Sequence, residues 1–187
     1  MKKEYYQGKG FWSEQYSWDY EPVTDGMIEE AERQLQLKLP LSYISLLKEQ
    51  NGGSVNYDRF DHDGDRSVWM DHMEGIDLEV PHHGNGILAS EYWIEECNLP
   101  VSPSTTVILW GDFHHFIALD YSRAADNPSV VQLWETWEKE DPWGKTHLAS
   151  TFGEFLSKLY RETKFEPKKI KNKTKYKQQF NPKYLKF

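Results

Sequence analysis

The run from Asp25 to Gly53, DGMIEEAERQLQLKLPLSYISLLKEQNGG, constrains the fold more than any other part of the chain. Ile28, Ala31 and Leu35 recur at i, i+3 and i+7, the spacing that places apolar side chains on one face of a helix. Asp25 is positioned to cap its start, with Glu29 and Glu30 near the positive end of the helix dipole. Pro40 closes this helix or opens the next, where Tyr43, Leu46 and Leu47 form a second apolar stripe. Asn51-Gly52-Gly53 stops the pair, because glycine adopts the left-handed conformation that ends helices. The segment holds almost nothing able to do covalent chemistry.

The elements around it set the fold class. Thr105–Trp110 and Phe116–Tyr121 are rich in β-branched and apolar residues, and the short link Gly-Asp-Phe-His-His between them predicts a hairpin. Val130–Trp137 reads as a further strand. Thr151-Phe152-Gly153-Glu154 fits a capping box, opening a helix whose stripe is Phe152, Phe155, Leu156, Leu159 and Tyr160. Between the helical pair and the hairpin, Val55–Phe60 and Ser67–Met70 read as short strands around an Asp-His-Asp-Gly-Asp turn. Gly75–Gly86 reads as loop and Ala89–Cys97 as a short helix. Residues 1–22 are dense in aromatics, including Phe11, Trp12 and Trp18, and disordered arms are poor in them, so this arm is expected to pack on the domain. Two helices, then strands joined by short links, then a last helix predict an α+β fold with a mainly antiparallel sheet and helices packed against it. The expected organisation is one domain over residues 1–163 and a lysine-rich extension over 164–187.

Charge divides along the same boundary. The net charge of −8 combines an extension of nine lysines and one glutamate with a body of 13 basic and 29 acidic side chains, a balance of −16. Such a body repels phosphate backbones and steers a basic partner toward itself. Nucleic acid is therefore not an expected partner, except through the lysines of the extension, which alternate with Tyr176, Phe180 and Tyr184. A solubilising extension, or an arm folded back on the acidic body, is the simpler reading of that tail. The single cysteine, Cys97, excludes an intrachain disulfide and fits a reduced compartment. No apolar run is long enough to span a bilayer, and none near the start could serve as a signal core. A cytoplasmic protein without membrane association is expected.

Catalytic chemistry finds little support. Asp61, Asp63 and Asp65 alternate as in a calcium loop, but Arg66 and His72 stand where that motif needs glycine and glutamate. His62, His72, His82, His83, His114, His115 and His147 come with neither a His-Glu-x-x-His motif nor a cysteine set, so they read as polar loop histidines rather than zinc ligands. Cys97 beside Trp93 and Ile94 reads as a small packed residue. Gly84-Asn85-Gly86 is too short and wrongly placed for a phosphate loop. The chain is expected to be no enzyme and to carry no metal or other cofactor; a metal-dependent enzyme using the histidines is the remotest alternative.

Several pieces carry a family resemblance through their order. They are Phe11-Trp12, EPVTDGMIEEAERQLQLKLPLSYISLLKEQNGG from Glu21, GILASEYWIEECNLP from Gly86, VILWGDFHHFIALDYSR from Val107, NPSVVQLWETW from Asn127 and STFGEFL from Ser150. Together the sequence resembles the SUKH superfamily, which groups a yeast cell-wall-assembly regulator with bacterial toxin-immunity proteins. The resemblance implies an α+β domain and, in bacteria, an immunity protein that binds and blocks a cognate toxin, often a nuclease, without catalytic residues of its own. It also leaves an intracellular scaffold or regulatory module as the alternative. Many relatives carry a glycine-richer turn where this chain has Gly111-Asp112-Phe113-His114-His115.

On that reading the contact regions are three. The acidic loop of Asp61, Asp63 and Asp65, with nearby Trp69, would steer a basic toxin. The turn of Asp112, His114 and His115 forms the second. The third is the segment of Trp134, Glu135, Trp137 and Glu138, where aromatic anchors stand among carboxylates. In a strand Trp134 and Trp137 would point to opposite faces, leaving at least one exposed. Each tryptophan taken alone, Trp69 included, reads more simply as core or rim.

Overall fold

The helical pair forms as its apolar spacing requires. In the computed structural model, which describes residues 1–62, 68–79, 85–124 and 126–163, α1 runs Asp25–Leu35 and α2 runs Leu41–Glu49. Ile28, Ala31, Tyr43, Leu46 and Leu47 are buried. The cap of α1 is Thr24, one residue before the expected Asp25, because Thr24 has the extended backbone a cap needs. Its hydroxyl accepts from the Met27 N–H at 3.2 Å. Asp25 becomes the first helical residue and pairs with Lys48 of α2 at 2.6 Å. Pro40 opens α2, where it interrupts no helical hydrogen bond.

Asn51 does more than stop the second helix. It is 5% exposed, and its amide donates to the Glu21 and Ile76 carbonyls, both at 2.8 Å. Its Oδ1 accepts from the Ile76 N–H at 2.7 Å. A buried amide with three partners fixes both segments it touches, since each orphaned group costs about 1–3 kcal/mol. Gly52 follows at φ 81°, where a Cβ would stand 2.3 Å from the Trp18 ring.

Among the described residues, eleven strands form three antiparallel sheets. In chain order they are β1 Lys2–Tyr5, β2 Trp12–Ser17, β3 Gly53–Val55, β4 Arg59–Phe60, β5 Val68–Trp69 and β6 His72–Met73, then β7 Thr106–Gly111, β8 His115–Asp120, β9 Ser129–Glu135, β10 Trp143–Ala149 and β11 Leu159–Thr163. The sheet orders are β10-β9-β8-β7, β1-β11-β4-β5 and β2-β3-β6. Helices α3 (Ser90–Glu96) and α4 (Phe152–Lys158) join the first two. The result is the α+β fold that the element order predicts, including the β7–β8 hairpin.

In the β10-β9-β8-β7 sheet, β7, β8 and β9 are buried on both faces, which is why they read as nearly continuous apolar runs. Val107, Leu109, Ile117, Leu119 and Val130 face the main core with Tyr43, Phe152 and Phe155. Ile108, Phe116, Ala118, Val131 and Leu133 face a second cluster with Ile94 and Leu99. A bulge between Ile108 and Trp110 breaks the alternation, so Leu109 and Trp110 both join the main core.

Four further expectations need correction. Val55–Phe60 is not one strand; β3 and β4 belong to different sheets. The stripe of the last helix does not run through Leu159 and Tyr160, because α4 ends at Lys158 and β11 begins there, paired with β1 from the far end of the chain. In its capping box Thr151 accepts from the Glu154 N–H at 3.0 Å, but Glu154 reaches back to the Ser150 N–H at 2.9 Å, one residue before the cap. Lastly, β9 ends at Glu135, so Trp137 lies outside any strand. The aromatic arm does pack: Phe11 is fully buried, and the Trp12 indole donates to the Leu46 carbonyl at 3.0 Å. The expected extension, 164–187, lies outside the described residues, as do Asp63, Asp65, His82 and His83.

Candidate functional site

The hairpin turn between β7 and β8 is held by one carboxylate. Asp112 Oδ1 accepts from the N–H groups of His114 at 3.0 Å and His115 at 2.7 Å. This Asx-type bonding leaves Phe113 at φ 72°, with 62% of its surface exposed. Next to it His114 Nδ1 lies 2.6 Å from Glu135 Oε2, and the His114 ring stands 5.2 Å from that of Trp137. Trp137 has φ 65° and is 74% exposed. Its loop is closed at the base, where the Thr136 N–H donates to the Pro142 carbonyl at 2.8 Å and the Thr136 hydroxyl to that of Asp141. The Glu138 N–H donates to the Thr136 hydroxyl at 3.1 Å.

Thus Asp112, His114, His115, Glu135, Trp137 and Glu138 gather at one end of the doubly buried sheet. Trp134 belongs to the same end, paired in register with His115, but it is half-buried. Its ring covers Gly144, where a Cβ would meet it at 2.3 Å, and its indole donates to Thr146 at 3.1 Å.

Trp69 sits in the β1-β11-β4-β5 sheet instead, and Asp61 directly follows its strand β4. Asp61 accepts from Lys3 at 2.8 Å and from the Tyr5 hydroxyl, and these two bonds hold its carboxyl below the usual range. Its charge therefore serves to tie β1 to the end of β4. Trp69 is 40% exposed and meets the buried Trp110 ring edge-on at 5.8 Å.

Beside the rim lies a feature that the sequence reading missed. Phe113 and Trp93 meet edge to face at 5.1 Å and wall a cavity of about 160 Å³ together with Trp18 and Phe116. His72 and Glu74 form its polar side. His72 Nδ1 is 2.7 Å from Asp71 Oδ1, and its Nε2 is 3.6 Å from Glu74 Oε1. Burial of the ring opposes its charging, but Glu74 and Asp71 outweigh that and raise its pKa. Glu74 is clamped in place: its N–H donates to the Leu109 carbonyl at 2.8 Å, its carbonyl accepts from Tyr43 at 2.6 Å, and its Oε2 accepts from the Gly86 N–H at 2.9 Å. The available signal was period two, since residues i and i+2 of an extended segment share a face. A phenylalanine in a hairpin turn, where polar residues are the rule, was the other.

Among the described residues, chemistry beyond binding has little to work with. Burial pushes the Cys97 thiol up, away from the thiolate a nucleophile needs. Among the described residues no three His, Cys, Asp or Glu side chains group as metal ligands, and no helix is long and apolar enough to cross a membrane.

Comparison with known families agrees with this geometry. A family profile described as SUKH_6, SMI1-KNR4 cell-wall, matches residues 25–156. The chain belongs to the SMI1-KNR4 family. No curated protein matches it. The family match starts at the first residue of α1 and ends within α4, so it takes in the helical pair, the doubly buried sheet and the rim. Outside it fall β1, β2 and β11, which complete the two smaller sheets of this SMI1-KNR4 domain, and Trp18 of the cavity wall.

Proposed function

We propose that this SMI1-KNR4 family member is a non-catalytic protein-binding domain that acts as an immunity protein, neutralising a cognate bacterial toxin in the cytoplasm of the producing cell. The observation that carries the reading is the rim. Phe113 and Trp137 are 62% and 74% exposed, yet both are held on hydrogen-bonded turns beside Asp112 and Glu135. Large aromatic anchors presented on an ordered backbone are what binding hot spots are made of. The −16 balance of residues 1–163, from 13 basic and 29 acidic side chains, favours a basic partner. A nuclease fits, since a surface built to hold a polyanion is one an acidic rim can occlude.

The test is co-expression with the toxin encoded beside the gene, scored by protection of growth and by co-purification. Failure to protect against, or co-purify with, any neighbouring toxin removes the immunity reading. The family's cell-wall description supports a second reading, an intracellular regulatory scaffold. An isolated gene whose loss alters the envelope would favour it.

A further inference from the structure

The cavity beside the rim has the chemistry of a socket for one cationic side chain, and we infer that it receives an arginine of the protein partner. The inference rests on the protein-binding reading above and names what that surface recognises. At about 160 Å³ the cavity is close to the size that holds a single benzene-like group, well short of a cofactor pocket. Its occupant is therefore one side chain. Access is from the rim, because the wall residue Phe113 is 62% exposed.

The lining selects the charge of that side chain. Trp18, Trp93, Phe113 and Phe116 present aromatic surface, and the faces of such rings attract cations. Glu74 supplies a carboxylate whose side chain is 13% exposed. Its contacts among the described residues, the Gly86 N–H at Oε2 and His72 at Oε1, leave acceptor capacity on the carboxylate. A neutral aromatic or aliphatic guest would desolvate that carboxylate without pairing it, which disfavours it. A planar guanidinium can stack on the rings and fork onto the carboxylate together, which an ammonium cannot.

The socket is also set before the partner arrives. The Glu74 backbone is fixed by Tyr43 and Leu109, and its neighbour Ile76 by the buried amide of Asn51. Little ordering remains to oppose binding. His72 modulates the site, because in its protonated form it competes with the guest for Glu74. Among the described residues, the groups facing His72 are the carboxylates of Asp71 and Glu74 and the rings of Trp18 and Trp110.

The experiment uses the full chain and needs no toxin. N-acetyl-arginine methylamide is titrated into protein labelled at the tryptophan indoles, with the uncharged isostere N-acetyl-citrulline methylamide as control. The expected result is a saturable shift of the Trp18 and Trp93 indole resonances with the arginine probe. Binding should be at least about tenfold weaker for citrulline, and for the Glu74→Gln variant. Gln keeps an acceptor for the Gly86 N–H; should that variant fold poorly, Phe113→Ala, at an exposed position, must weaken the arginine probe instead. Affinity is expected to be higher at about pH 8.5 than at about pH 5.5, where His72 is charged. Equal binding of both probes, or indoles unmoved up to the solubility limit of the arginine probe, overturns the socket. Arginine binding without protection against any toxin keeps the socket and removes the immunity reading; protection without arginine binding does the reverse.

Discussion

The corner at Asn51 and the rim at Trp137 are both places where the chain reverses outside regular structure, and they handle their side chains in opposite ways. At the corner a polar amide is 5% exposed with every bond made inside the protein. At the rim a tryptophan is 74% exposed while the polar groups around it order the backbone. The corner turns hydrogen bonding into a fixed position for Glu21 and Ile76. The rim holds apolar surface in a defined place and leaves it uncovered. A side chain in the first situation stabilises the fold, and one in the second is free to stabilise a complex, because its ordering cost is already met.

The sharpest way to break this contrast is Asn51→Ala. It orphans an N–H and two carbonyls, and the expected loss is about 3 kcal/mol of unfolding free energy, read from urea midpoints. A loss below about 1 kcal/mol would mean the corner relaxes or hydrates, and the contrast with the rim would dissolve. Gly52→Ala attacks the same corner through the backbone. With φ at 81° and a Cβ meeting Trp18 at 2.3 Å and the Gly75 nitrogen at 2.8 Å, it should cost about 2 kcal/mol and shift tryptophan fluorescence.

The rim should answer differently. Trp137→Ala is expected to leave stability within about 0.5 kcal/mol of the parent. If the proposed immunity role holds, the same change should weaken binding to the cognate toxin by about 2 kcal/mol, roughly thirtyfold. Calorimetric titration and a parallel urea melt check both halves. If the stability loss matched that of Asn51→Ala, Trp137 would be core in disguise and the rim would lose its claim.

The same contrast explains which parts were legible in the sequence. Elements held by their own periodicity were readable: α1, α2, the β7–β8 hairpin and the start of α4. Elements held by distant partners were not. The β1 sequence Lys-Lys-Glu-Tyr has no strand pattern, and it becomes a strand because β11 offers it a register from Tyr5↔Tyr160 to Lys2↔Thr163. Leu159 and Tyr160 continued a helical stripe and were taken into β11 by that pairing. Of the candidate contacts, Asp112, His114, His115, Glu135, Trp137 and Glu138 converge because a hairpin turn and the end of β9 neighbour each other once the strands pair. Asp61 is engaged by Lys3, a residue 58 positions away, and no local signal announces that. The cavity was invisible for the same reason, since Trp18, Glu74, Trp93 and Phe113 come from four separate stretches of chain.

The smallest effect tests the boundary between the two regions, where His72 links the clamped Glu74 to the aromatic wall. Its pKa is raised in the folded protein, with burial opposing and Glu74 and Asp71 prevailing. A histidine bound more tightly to its proton when folded contributes stability that is fully present below the unfolded value, about 6.5, and is lost as pH rises through the folded value. Asp71 does not blur this window, because Trp110 and His72, acting against burial, hold its carboxyl below the usual range. The stability gap between the parent and His72→Gln should therefore be wider at about pH 5.5 than at about pH 8.5. A gap that stayed constant would mean that folding leaves the ring's affinity for its proton unchanged, and one that widened at high pH that folding disfavours the charged ring. In the second case Glu74 would face the cavity with no cationic neighbour to displace, and the arginine probe would have no competitor for that carboxylate at low pH.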